Sequence, residues 1–190
     1  MKKTIIIFSL LTAVIISKAQ VSAGFGIKGG LNLATFSSDN STNFKSKAGF
    51  NAGGLVHIHV SKYFAIQPEA MYSSQGAKLT VAGTEYKYNV NYINIPVLLQ
   101  FMAGQGFRVE TGPQLGILAD ANVKSGNVTV NNKNGYQSTD FSWAVGLGYL
   151  SSSNLGADIR YNLGISDIDK SNNTKTVNNV LQLGLFYQFR

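Results

Sequence analysis

The chain has 190 residues, of which 44% are hydrophobic and 13% are charged, with a formal net charge of +7 and no cysteine. This length suffices for one domain, and the lack of cysteine excludes a disulfide framework and a lipid-anchored lipoprotein. Because there is no run of Lys or Arg and no basic amphipathic helix, we expect no nucleic-acid partner.

The first predicted element is a secretory signal. Two lysines precede an apolar run at 5–16, and small and polar residues follow, which is the layout of a signal peptide. The alternative is a membrane anchor, but the run is shorter than the roughly twenty residues of a spanning helix. We expect residues 1–19 to be removed, with cleavage after Ala19 or after Gln20, which leaves 20–190 as one domain. Loss of the three lysines of the signal would lower the formal charge from +7 to +4.

From residue 24 onward, apolar and polar residues alternate in eight segments, as in strands with one apolar face. The predicted strands are 24–34, 48–60, 64–74, 92–102, 107–119, 141–150, 155–166 and 181–189. Three connections are short, and four are long and rich in Asn, Ser, Thr and Lys. Because long and short connections alternate strictly, we predict an all-β domain of antiparallel hairpins joined up and down, with four long loops at one end.

The two faces of these strands differ in chemistry. One face is apolar and carries aromatic residues near the strand ends, such as Phe64, Phe107 and Tyr149. The other face is mostly Gly, Ala, Ser, Asn and Gln with a few charges of both signs. An aliphatic band between two aromatic girdles is typical of a transmembrane barrel, whose polar face lines the lumen. The alternative is a lipocalin-like soluble barrel, in which the apolar face would fill the interior.

The charged residues of the polar face are predicted to meet in the lumen. This charge network consists of Lys28, His57, His59, Glu69, Arg108, Glu110, Asp158 and Arg160. Because an unpaired charge in a dry interior costs several kcal/mol, we expect both arginines to pair with the three acids. Eight strands enclose only enough space for side chains, which favours a structural plug over an ion pathway.

No catalytic or metal-binding motif is evident in the sequence. His57 and His59 share one strand face, but the nearby serines, such as Ser61, resemble ordinary turn residues and form no specific constellation. The two histidines could bind a metal ion, yet no third ligand is evident. The long-loop stretches "DNST" and "DIDKSNN" lack the spacing of a calcium loop. We therefore expect no catalytic residue, no metal and no cofactor.

Three prolines interrupt the predicted strands. Pro68, Pro96 and Pro113 cannot donate a ladder hydrogen bond, and a closed barrel has no free edge on which to place them. We expect a bulge or a local gap in strand pairing at these positions.

Several stretches resemble the PorT-like outer-membrane β-barrel domain family of the Bacteroidota. They are "GFGIKGGLNLATF", "FAIQPEAMYSSQG", "VNYINIPVLLQF", "VETGPQLGIL", "ADIRYNLGISDI" and the aromatic tail "LGLFYQF", and together they cover essentially the whole mature sequence. The resemblance implies an eight-stranded antiparallel up-and-down transmembrane β-barrel of OmpA/OmpX-like architecture in a Gram-negative outer membrane. Most members have no assigned function, some are tied to protein secretion, and the family supplies no catalytic residues.

The expected function is therefore structural or surface-binding rather than catalytic. The expected partners are outer-membrane lipid, the barrel-assembly machinery and an extracellular ligand or protein at the long loops, and we expect a monomer. An accessory barrel of a secretion system and a lipid-active barrel enzyme are the alternatives.

Overall fold

A computed structural model describes residues 23–39, 42–171 and 174–189. The predicted signal peptide and its cleavage site lie outside these residues. The strands are β1 (Ala23–Ser38), β2 (Lys45–His59), β3 (Phe64–Val81), β4 (Thr84–Ala103), β5 (Phe107–Ser125), β6 (Val128–Asn131), β7 (Thr139–Leu150), β8 (Leu155–Gly164) and β9 (Thr176–Phe189). In the described part of the chain, no helix is long and apolar enough to cross a membrane.

Eight of these strands form a closed antiparallel ring. Strands β1 to β5 pair in sequence order, β5 pairs with β7, and the ring continues through β8 and β9 back to β1. The four-residue β6 pairs with β5 alone and forms a short hairpin outside the ring. Closure leaves no free strand edge in the ring, so backbone groups are paired between strands, as a membrane span requires. The predicted eight-stranded up-and-down barrel is confirmed, with β6 as an addition.

The two ends of the barrel have different connections. At one end, which we call the short-turn end, strands are joined by residues 60–63, 104–106 and 151–154. At the other, which we call the loop end, the prediction of four long loops is wrong at one position. Strands β3 and β4 continue beyond their predicted limits, and only Ala82 and Gly83 connect them. Both have positive φ, 48° and 81°, as in the two-residue turns that match the twist of a hairpin.

The outer wall of the barrel is apolar and the interior is polar. Phe25, Leu31 and Leu185 are 64%, 65% and 63% exposed on the outer wall, whereas Glu69 and Arg160 are 3% and 1% exposed. Such a continuous apolar surface is suited to lipid and not to water. The lipocalin-like alternative is wrong because it would place the apolar face inside.

Each proline lies at a gap in strand pairing. The ladder between β2 and β3 is interrupted at Pro68, the ladder between β3 and β4 at Pro96, and the ladder between β4 and β5 at Pro113. The register is the same on both sides of each interruption, so no residue is inserted there. Local gaps without bulges therefore explain how a closed barrel accommodates residues that have no backbone N–H.

Candidate functional site

Arg160 lies at the centre of the lumen and connects three strands. Its Nη1 and Nη2 atoms each donate to one carboxylate oxygen of Glu69 at 2.9 Å. Its Nε atom donates to Glu110 Oε1, also at 2.9 Å. A bidentate contact and a second carboxylate together satisfy three guanidinium donors with charge-assisted bonds, which are stronger than neutral ones. The inward-facing parity of β8 places Arg160 there, as the sequence pattern predicts.

Lys28 and Asp158 form a second ion pair beside Arg160. Lys28 Nζ lies 2.6 Å from Asp158 Oδ2 and 3.9 Å from Glu69 Oε1. Gly184 on β9 makes room for this pair, because a Cβ atom there would lie 2.7 Å from Lys28 Cε and 2.8 Å from Asp158 Oδ1. The absence of a side chain at this position is therefore a packing requirement of the network.

Arg108 does not pair with an acid as the sequence analysis expects. None of the ion pairs among the described residues includes it, because Lys28 and Arg160 hold the three acids. Its Nη1 atom instead lies 3.4 Å from Gln100 Oε1, and its guanidinium lies 5.6 Å from the ring centroid of Phe186. The expected pairing of both arginines with acids is thus wrong for Arg108.

The two predicted histidines are in different environments. His57 is 1% exposed, and its Nδ1 atom lies 3.1 Å from Gln67 Oε1. Gln67 in turn donates to Glu69 at 2.9 Å, which links His57 to the charge network. His59 is exposed, and its ring contacts the ring of His57 edge-on at a centroid distance of 4.6 Å. The prediction that His59 belongs to the buried network is therefore wrong: β2 ends at His59, whose side chain lies at the rim.

Metal ligands do not converge in the described residues, where no group of three or more His, Cys, Asp or Glu side chains could hold an ion. The histidine pair therefore offers at most two nitrogen ligands, fewer than a protein zinc site uses.

Polar amides fill the lumen between the charge network and the loop end. Asn51 donates to Asn32 at 2.7 Å, and Asn32 donates to Ser73 at 2.9 Å. Asp140, which accepts from Asn178 at 3.2 Å, is an acid that the sequence analysis missed because the predicted strand began one residue later. We call this set the amide layer; its buried members are Asn32, Asn51, Ser73, Gln75, Gln114, Asp140, Ser142, Asn178 and Gln182.

An aromatic cluster closes the loop end of the lumen. The ring centroids of Phe36 and Phe44 lie 5.5 Å apart, and those of Phe36 and Tyr136 lie 6.3 Å apart. Burial, with smaller contributions from Tyr88 and Asp169, raises the pKa of the Tyr136 hydroxyl well above its usual range, so this side chain stays neutral. A cavity of about 280 Å³ lies beside the cluster. We call this set the aromatic cap; its members are Phe36, Phe44, Tyr88, Tyr92, Tyr136 and Ile168.

Lysines are concentrated at the loop end. Eight lie at the loop-end termini of strands or in the connections there: Lys45, Lys47, Lys78, Lys87, Lys124, Lys133, Lys170 and Lys175. The acids of this end that are at least partly exposed are Asp39, Glu85, Asp120, Asp167 and Asp169, whereas Asp140 is buried in the amide layer. The accessible side chains of the loop end therefore have an excess of three positive charges, whereas the three cations and three acids of the charge network balance.

A closed, lipid-facing barrel with a polar lumen agrees with the result of the family comparison. A family model described as "Outer membrane protein beta-barrel domain" matches residues 18–170. The chain belongs to this family. Membership of this family implies that the protein resides in the outer membrane, in agreement with the apolar outer wall.

Solved structures of other outer-membrane barrels share the fold. Neisserial surface protein A matches with a TM-score of 0.60 and 16% identity, covering 88% of this chain and 99% of that chain. The attachment invasion locus protein of Yersinia pestis, Ail, matches with a TM-score of 0.55 and 15% identity, with the same coverage. At these identities the likeness concerns the fold. A comparison with curated proteins finds no match.

Proposed function

We propose that the protein is a non-catalytic outer-membrane barrel that binds a partner through its loop end. The observation that carries this proposal is the packed lumen, in which the charge network, the amide layer and the aromatic cap follow one another along the barrel. Because Arg160 and Glu69 at its centre are 1% and 3% exposed, the lumen acts as a structural plug. Binding is therefore assigned to the loop end.

The orientation follows from the connections. Bacterial outer-membrane barrels have short periplasmic turns and longer extracellular loops. The short-turn end accordingly faces the periplasm, and the loop end faces the outside of a Gram-negative cell. In this proposal the protein is a PorT-like barrel of the Bacteroidota. Export through a cleaved signal and insertion by the barrel-assembly machinery deliver the protein there. The closed ring offers no strand edge for association, which supports a monomer.

The charge and shape of the loop end favour an acidic partner. Its excess of three positive charges would attract an acidic surface and raise the association rate. The cavity beside the aromatic cap is a second feature that suits binding. Phe36, Phe44 and Tyr136 line it, and aromatic side chains that a partner covers often contribute most of the binding energy.

Reversal of two exposed lysines tests this proposal. Lys124→Glu combined with Lys170→Glu changes the charge of the loop end from +3 to −1, and the matched control replaces both lysines by Arg. We expect cells that display the Glu variant to lose binding to an immobilised acidic glycan, while cells with the Arg variant retain it. Heat-modifiable gel mobility verifies that both variants assemble. Binding that persists in the Glu variant, and after residues 126–138 and 165–171 are shortened, would contradict the proposal.

A further inference from the structure

A second cavity opens at the opposite end of the barrel, with a volume of about 570 Å³. We call it the short-turn cavity. Its lining residues come from the ends of five strands, β2, β4, β5, β7 and β9, and from all three short turns. Those used below are His57, His59, Lys62, Arg108 and Gln188.

Arg108 is a buried cation whose donors are incompletely used. The residue is 5% exposed and lines the cavity, yet its Nε atom has no hydrogen-bond partner among the described residues. Among the side chains that the structure describes, only Gln100 Oε1 accepts from its guanidinium, at the long distance of 3.4 Å. A buried, unpaired donor on a charged group is costly, so an acceptor supplied by a ligand would be bound favourably.

The remaining lining is complementary to an anion. Lys62 stands at the rim, His57 and His59 present two imidazole rings, and none of the described residues that line the cavity is an acid. Gln188 is 8% exposed, and its Oε1 atom also lacks a partner in the described chain. Rotation of its amide by 180° would present the NH₂ group to the same space, since amide oxygen and nitrogen are interchangeable in shape.

We propose that the short-turn cavity binds the phosphate group of a small anion or of a lipid headgroup. The planar fork of Arg108 contacts phosphate oxygens from inside, where the charge is buried and the bond is strong. Lys62 and His59 contact the outward-facing oxygens from the rim. A tetrahedral phosphate has enough acceptor oxygens for donors on several sides, whereas a carboxylate has two.

Two sources of this phosphate are compatible with the geometry. A solute phosphate can enter from the open end of the cavity. A phospholipid can also reach it, because Phe107, Arg108 and Tyr149 line both the cavity and an apolar groove of about 460 Å³ on the outer wall. In that case an acyl chain lies along the groove and the headgroup lies at the rim.

The test uses the assembled barrel in dodecyl maltoside, a detergent without phosphate. The sequence contains only three arginines, Arg108, Arg160 and Arg190, so the side-chain Nε–H resonances are few and can be followed by NMR during titration with inorganic phosphate. We expect a saturable shift of the Arg108 resonance and little change at Arg160. Parallel titration with acetate measures the preference for phosphate over a carboxylate.

Variants show whether the cavity is responsible. In Arg108→Gln the Nε–H probe is lost, so binding is followed through the backbone amide resonances of the lining turn 104–106. This variant should weaken phosphate binding by about tenfold or more, because a charge-assisted bond is lost. If this variant fails to assemble, the exposed rim changes Lys62→Gln and His59→Gln test the same site and should each weaken binding several-fold. The matched control, Lys124→Gln, removes the same charge at the loop end and should leave phosphate affinity unchanged.

Addition of short-chain phosphatidylglycerol distinguishes the two sources. Competition with inorganic phosphate, together with no competition by a neutral diacylglycerol, identifies a headgroup site; lack of competition identifies a site for free phosphate. Absence of a saturable Arg108 shift, equal affinity for acetate and phosphate, or equal loss of affinity in Lys124→Gln would each overturn the proposal.

Discussion

At the scale of one residue, Arg160 illustrates the energetics of the buried charge network. Taking a guanidinium and two carboxylates out of water is expensive, and the contacts with Glu69 and Glu110 offset that cost only while the geometry is complete. The net contribution of the assembled group to stability is therefore small, whereas removal of one member leaves an uncompensated charge. This asymmetry makes the network a sensitive site for mutation.

Removal of Arg160 should destabilise the barrel strongly. Arg160→Leu leaves Glu69 and Glu110 without their main donor, and we expect a loss of about 3–5 kcal/mol in the free energy of unfolding. The matched control is Lys87→Leu, because Lys87 lies 3.4 Å from Glu85 in an exposed pair that should contribute about 0–1 kcal/mol. Urea unfolding of the barrel in lipid vesicles measures both. Equal effects of the two changes would show that the lumen is hydrated and the network weak.

The neighbouring residue tests the outer wall. Ile159 is 45% exposed and points away from the lumen. Ile159→Arg should cost about 2–4 kcal/mol if the residue lies near the bilayer midplane, and less toward the interface. The same unfolding assay applies, with Ile159→Leu as the apolar control. A neutral Ile159→Arg would mean that this face does not contact lipid.

At the scale of the element, the sequence predicted strands well where they cross the membrane and poorly beyond it. Alternation is visible where one face meets lipid, and all eight predicted strands lie there. Beyond that band the apolar residues of β3 and β4, such as Ala77 and Val90, face inward and belong to the same buried cluster as the aromatic cap. The contrast between the two faces is therefore reversed there, which is why the sequence pattern ends β3 at residue 74 although the strand continues to Val81, and why it misses the start of β4. Asp140 is missed because it lies at the edge of the band, one residue before the predicted strand. The ion pairs were less predictable than the strands. Alternation along a strand shows which side chains point into the lumen, but it does not show which donor reaches which acid.

The hairpin turn between β3 and β4 offers a prediction at this scale. Ala82 has a φ of 48°, in a left-handed region that alanine adopts at a cost of about 1–2 kcal/mol and asparagine tolerates better. Ala82→Asn should therefore raise the free energy of unfolding by up to about 1 kcal/mol. Urea unfolding checks this, with Ala103→Asn, at the end of β4, as the control. Destabilisation by Ala82→Asn alone would indicate a different turn conformation.

At the scale of the whole molecule, the layers that fill the lumen predict whether the barrel conducts ions. The balanced charge network, the amide layer and the aromatic cap occupy the space that eight strands enclose. We expect the purified barrel to give no steady conductance in planar bilayers. Unitary conductance steps that persist after gel filtration would show that the plug opens, and would favour the ion-pathway alternative.

The orientation of the whole barrel can be decided with single cysteines, since the natural chain has none. Asn134 is exposed at the loop end and Ser152 is exposed at the short-turn end. With the loops outside the cell, a membrane-impermeant maleimide should label Asn134→Cys in intact cells, and should label Ser152→Cys only after the outer membrane is permeabilised. Labelling of both variants in lysed cells serves as the control for reactivity. The opposite pattern in intact cells would place the lysine-rich end in the periplasm, where the positive charge could not recruit a partner at the cell surface.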